Sequence, residues 1–109
     1  MKLVDLRDLL STVGVPVDHY KASKRSDKYI VWSEDGQVGG MHADDSMTEQ
    51  VLQGTIDYFT KEEFDPNFEI IQKKLNSADI TWGLNSVQYE ENTKYIHYEW
   101  VWEVDSSIG

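Results

Sequence analysis

Apolar residues recur at spacings of three and four through Leu3, Leu6, Leu10 and Val13, with Asp5, Arg7 and Asp8 between them. This spacing predicts an amphipathic helix of about three turns with one apolar stripe. Gly14 and Pro16 follow the last apolar position, a common way for a helix to stop. So short a helix is marginal alone, and its stripe must dock on something. Val17 to Tyr20 reads as a short strand, and Lys21 to Lys28 as a polar loop. Tyr29-Ile30-Val31-Trp32 is aromatic and β-branched throughout, a strong strand signal. Asp35-Gly36 predicts a turn, because Gly accepts positive φ at little steric cost. Gly39-Gly40 predicts a bulge or a close backbone approach.

Between Val51 and Phe59, Leu52, Ile56 and Tyr58 fall on one face while Gln53, Thr55 and Asp57 alternate on the other, which predicts a strand. Gly54, Thr55 and Ile56 are poor helix formers and weigh against a helix there. After a charged connector, Lys61 to Glu63, Asp65-Pro66 opens a second helix, with Asp as N-cap and Pro at the first helical position. Phe68, Ile71, Leu75 and Ala78 form its apolar stripe, and Lys73 and Lys74 suit the negative end of its dipole. The last third reads as a long hairpin. Ile80, Trp82 and Leu84 alternate, Val87 and Tyr89 imply a register change at Asn85-Ser86, and Glu91-Asn92-Thr93 supplies the turn. Ile96, Tyr98, Trp100, Trp102 and Val104 then alternate with Tyr95, His97, Glu99, Val101 and Glu103. That is the pattern of a strand with one side against a core. Residues 105–109 are expected to be unstructured.

The order α-β-β-β-α-β-β predicts an α+β fold, with two helices packed on one face of a mainly antiparallel sheet. At 109 residues the chain fits one domain, residues 1–109, with no room for a second core. There is no cysteine, which excludes disulfides and thiolate metal sites. No apolar run is long enough to span a bilayer, and the charged N-terminus lacks a signal-peptide core, so a cytosolic protein is expected.

Twenty Asp and Glu against ten Lys and Arg give a net charge of −10, which argues against gripping nucleic acid through phosphates. Lys21, Lys24, Arg25 and Lys28 do cluster, either as a solvated loop or as a contact for an acidic neighbour. The four Trp, six Tyr and three Phe fill a sheet–helix interface or cover a subunit interface, where Trp and Tyr are enriched. Trp100 and Trp102 are assigned to the core.

Candidate catalytic chemistry is sparse. His42, Asp44, Asp45 and Glu49 bring imidazole and carboxylates together, yet their spacing matches no established metal motif. His19 and His97 are single histidines in predicted strands, where a hydrogen-bonded structural role is expected. The pairs Glu34-Asp35, Asp44-Asp45, Glu62-Glu63 and Glu90-Glu91 flank predicted turns and serve solubility. Ser11, Ser33 and Ser86 have no nucleophile-elbow context. Gly36 to Gly40 lacks the Lys-Ser/Thr ending of a phosphate loop. The expectation is a protein that is not an enzyme and needs no cofactor or metal.

Three stretches carry a family resemblance: Tyr29 to Gly36 (YIVWSEDG), Gln53 to Pro66 (QGTIDYFTKEEFDP) and Leu84 to Trp100 (LNSVQYEENTKYIHYEW). With the segments around them, from about Val15 to Val104, they resemble tail terminator proteins, also called tail completion or minor tail proteins. These belong to long-tailed phages and prophages of Gram-positive bacteria. The resemblance implies an α+β subunit that forms a hexameric ring on the head-proximal end of the tail tube. It implies partners in the tube protein and the head–tail connectors, with DNA passing through unbound. It also implies assembly in the host cytoplasm and a final place in the virion tail. No functional residues carry over. A heterologous ring contact needs two different patches on one subunit, and the Lys21, Lys24, Arg25, Lys28 loop and the acidic runs offer opposite charges for one. Other connector or minor capsid subunits fit the same pattern. A small metal-dependent factor built on His42, Asp44 and Glu49, or an acidic mimic of nucleic acid, are readings from other classes.

Overall fold

The computed structural model describes residues 1–38 and 51–105. Helix α1 (Leu3–Ser11) is followed by strands β1 (Val17–His19), β2 (Lys28–Val38) and β3 (Val51–Thr60), helix α2 (Asn67–Asn76), and strands β4 (Thr81–Glu90) and β5 (Tyr95–Asp105). The five strands form one sheet in the order β1-β2-β3-β5-β4. Three pairings are antiparallel, and β1 alone runs parallel to its neighbour β2. The fold is α+β in the expected order.

The periodicity explains the core. Ile30 and Trp32 of β2, Ile56 and Tyr58 of β3, and Trp100, Trp102 and Val104 of β5 share one sheet face. Leu6 and Leu10 of α1 and Ile71 and Leu75 of α2 close over them in a single apolar cluster. Leu3, Val13 and Phe68 pack at its margin, while Ala78 lies past the end of α2. The indole N–H groups that reach polar partners take them from α2: Trp100 donates to Gln72 and Trp82 to Asn76, each at 3.1 Å.

Gly54 lies where β3 passes under Trp102. A Cβ built there would stand 1.9 Å from the Ser33 carbonyl oxygen and 2.5 Å from Trp102 Cζ2, so only glycine fits.

Asp65 ties α2 to the sheet. Its Oδ1 accepts the Asn67 N–H at 2.8 Å, and Pro66 already has helical angles, as expected of this start. Its buried Oδ2 accepts the Tyr58 hydroxyl at 2.5 Å and lies 3.4 Å from Lys28 Nζ. Burial works against the charged carboxylate. The hydrogen bonds from Tyr58, Thr60 and the Asn67 backbone, with the Lys28 charge, nevertheless hold its pKa below the usual value. The Tyr58 hydroxyl is pushed up, by burial first and then by Asp65.

Four expectations need correction. Asp35-Gly36 is not a turn. Glu34 pairs with Gly54 and Gly36 with Gln53, leaving Asp35 as the extra residue of a β-bulge inside β2. Strand β3 continues opposite this stretch and holds the chain extended, so the irregularity is a bulge instead of a reversal. Asp105 belongs to β5, where it pairs with Val51; residues 106–109 lie outside the described residues. Lys28 begins β2 and pairs with Thr60, and Tyr20 ends β1 by adopting φ 72°. The expected register change is present as a break between Leu84 and Ser86. Gly39-Gly40 lies outside the described residues.

Candidate functional site on the outer sheet face

Both helices cover the same face, so the outer face of the sheet is left to side chains and to the loop after β1. Strand alternation sends Tyr29 of β2, Asp57 and Phe59 of β3, and Tyr95, His97 and Glu99 of β5 to this side. The rings pack together. Tyr29 stacks on Phe59 at 4.7 Å between centroids, Tyr95 meets both edge-on, and Phe59 stacks on His97 at 4.2 Å. The Tyr95 hydroxyl donates to the Ser26 carbonyl at 2.7 Å and pins the loop against the sheet. Lys61 Nζ stands 4.9 Å from the Tyr95 ring, within cation–π range.

At the edge of these rings lies a titratable group. His97 Nε2 is 2.7 Å from Asp57 Oδ1, and Nδ1 faces Glu90 Oε2 at 3.9 Å. Asp57 and Glu99 are direct cross-strand partners. Asp57, His97 and Glu99 bring their ligating atoms within 4.8 Å of one another, the one such group of three among the described residues. Each carboxylate is also held from behind: Thr55 Oγ1 donates to Asp57 at 3.2 Å and Asn85 Nδ2 to Glu99 at 2.5 Å. The His97 pKa is raised, chiefly by the hydrogen bond to Asp57, against the opposing effect of burial and with help from the charges of Asp57, Glu90 and Glu99.

The basic cluster read from the sequence is divided between the two sides of the sheet. Lys21 and Arg25 line a groove of about 310 Å³ whose floor includes Asp57, Phe59 and His97. Lys24 is exposed on the same loop. Lys28 turns the other way and pairs with Glu62 at 2.7 Å and with Asp65. His42, Asp44 and Glu49 lie outside the described residues. His19 is hydrogen-bonded to Glu34 at 2.8 Å and stacked on Trp32, the structural role expected for it. Burial works against the Glu34 carboxylate, but hydrogen bonds from Tyr20 and His19 hold its pKa down.

A second feature is the β4 edge. Leu84, Val87 and Tyr89 point to the helix-bearing side, opposite Trp100, Tyr98 and Ile96, yet are 43%, 53% and 58% exposed. Two grooves sharing Glu63 and Ile96 link Val87 and Tyr89 to Phe64, which is 88% exposed.

Sequence reasoning missed both features. Asp57, His97 and Glu99 each stood on the polar side of an alternating strand, but nothing local brings Asp57 to His97. No helix among the described residues is long and apolar enough to cross a membrane. Compared with known proteins, the chain matches no family model, and no curated protein is significantly similar to it.

Proposed function

We propose that this chain is a structural assembly subunit of the tail-terminator kind, which closes the head-proximal end of a phage or prophage tail tube as a ring, ends tube growth and joins tail to head. The observation that carries the reading is the β4 edge. It presents ten residues of edge strand, with Leu84, Val87 and Tyr89 exposed beside it and Phe64 nearby. A free edge strand with an apolar flank is a template for pairing with another chain.

Head-to-tail closure of a ring requires two unlike patches. The sheet has two unlike edges: β4, long and apolar, at one end, and three-residue β1 followed by the basic Lys21, Lys24, Arg25 loop at the other. The ring partners are then copies of this chain, hexameric by the resemblance, with the tube protein and the connector proteins on its two faces. A net charge of −10 per subunit suits a lumen through which DNA passes without being held. The resemblance-bearing stretches fall on β2, on β3 through the start of α2, and on the β4–β5 hairpin, so they span the sheet that would build the ring.

The test is charge reversal read by negative-stain imaging. Wild-type protein at high concentration is expected to show rings with a central hole, and Lys24→Glu with Arg25→Glu is expected to reduce them sharply. Unchanged ring formation in that variant would remove the basic loop from the contact. Rings that bind tube ends distinguish a terminator from a connector of similar fold, which would bind the head vertex instead.

A further inference from the structure

We propose that Asp57, His97 and Glu99 form a binding site for one borderline divalent transition-metal ion of the Zn²⁺ class. One imidazole nitrogen and two carboxylates is a donor set suited to such ions, whereas Mg²⁺ and Ca²⁺ favour oxygen alone. This site is independent of the assembly reading: its three ligands lie on β3 and β5, and β4 contributes only the supporting Asn85 and Glu90, not the exposed Leu84, Val87 and Tyr89.

The geometry supports the proposal at three levels. The ligating atoms lie within 4.8 Å of one another, and a tetrahedral site with bonds of about 2.0–2.2 Å places its ligands roughly 3.3 Å apart. Small rotations of three half-buried side chains therefore close the site, and its fourth position falls to water. The second level is the supporting shell. Metal-bound histidines present one ring nitrogen to the ion and turn the other toward a carboxylate or carbonyl. Here, without the ion, Nε2–H donates to the carboxylate of Asp57 at 2.7 Å, so an ion taking Nε2 displaces that proton, and Nδ1 is the nitrogen turned toward Glu90, at 3.9 Å. Phe59 stacked on the imidazole fixes its plane, and Thr55 and Asn85 hold the two carboxylates.

The third level is electrostatic. Asp57 and Glu99 are like charges directly opposed across a ladder, an arrangement that is destabilising by itself. With Glu90 they place three half-buried carboxylates around one imidazole, and a divalent ion offsets more of that charge than a single proton does. The groove's own cations, Lys21 and Arg25, are exposed, where solvent screens them.

The experiment uses the full chain after treatment with chelator and dialysis. Zn²⁺ is titrated calorimetrically, and Co²⁺ is followed by its visible absorption, against wild type, His97→Gln, Glu90→Gln and His42→Gln. Circular dichroism checks that each variant is folded. Wild type is expected to bind in a saturable manner and to melt at a higher temperature with the ion. The His97→Gln variant is expected to lose the Co²⁺ spectrum, Glu90→Gln to weaken binding roughly tenfold, and His42→Gln to bind as wild type does. Absence of saturable binding, a spectrum that survives His97→Gln, or one lost only in His42→Gln would each overturn the proposal.

Discussion

Beneath the two helices, Ile56, Tyr58 and Trp100 are completely buried, whereas on the edge strand β4 Leu84, Val87 and Tyr89, pointing to the same side of the sheet, are about half exposed. The two regions share a strand pattern and differ in cover. Helices of nine and ten residues are about 14–15 Å long. Strands β4 and β5, of ten and eleven residues, run to about 33–36 Å. The helices cannot roof the whole hairpin. Alternation therefore tells which side of the sheet a residue faces, and only the reach of the covering elements, along the strands and across to the edge strand β4, tells whether that side is sealed. The open part is where another protein can complete the cover.

Trp100 and Leu84 are direct cross-strand partners and give the widest contrast. Trp100→Ala is expected to cost about 3–5 kcal/mol, the loss for a large buried aromatic. Leu84→Ala, on the open edge strand, should stay within about 1 kcal/mol. Urea unfolding followed by tryptophan fluorescence measures both, and equal losses would break the comparison. Next come the glycines. Gly54→Ala forces a methyl into the Ser33 carbonyl and Trp102 and is expected to cost about 3 kcal/mol. A Cβ at Gly83 meets nothing within 4 Å, so Gly83→Ala should change stability by less than about 0.5 kcal/mol.

Asp65 sharpens the contrast through pH. Its folded pKa is depressed, so its contribution is complete above the unfolded value of about 3.9 and is lost as pH falls through the lower folded value. Asp65→Asn is expected to reduce stability by about 1–3 kcal/mol at neutral pH. The gap to wild type should hold between pH 7 and 5 and narrow below about pH 4. A gap that widens in acid would contradict the assignment. The smallest change in stability is expected for Val87→Ser with Tyr89→Ser, within about 0.5 kcal/mol per site, measured on the monomer by thermal melting.

Features carried by a local period were legible in the sequence. The Leu6 and Leu10 stripe, the alternation of Trp100, Trp102 and Val104, and the irregularity at Asn85 needed only neighbours a few residues away. Asp35-Gly36 was ambiguous because Gly serves a turn and a bulge equally, and the continuous partner strand decided between them. The Asp57, His97 and Glu99 group was hidden because it depends on the register of β3 against β5, with α2 and β4 between them in the chain. The same holds for Lys28. Its charge grouped it with Lys21 and Arg25, but strand parity turned it to the opposite face, where it meets Asp65.

Sedimentation equilibrium of the full chain over a wide concentration range, with wild type beside the Val87→Ser, Tyr89→Ser double variant, tests the central claim most directly. The account predicts that wild type approaches the mass of a closed ring, six copies by the resemblance, and that the double variant remains a stable monomer. A single-chain mass for wild type at every concentration, or rings that persist unchanged in the double variant, would contradict assembly through the β4 edge.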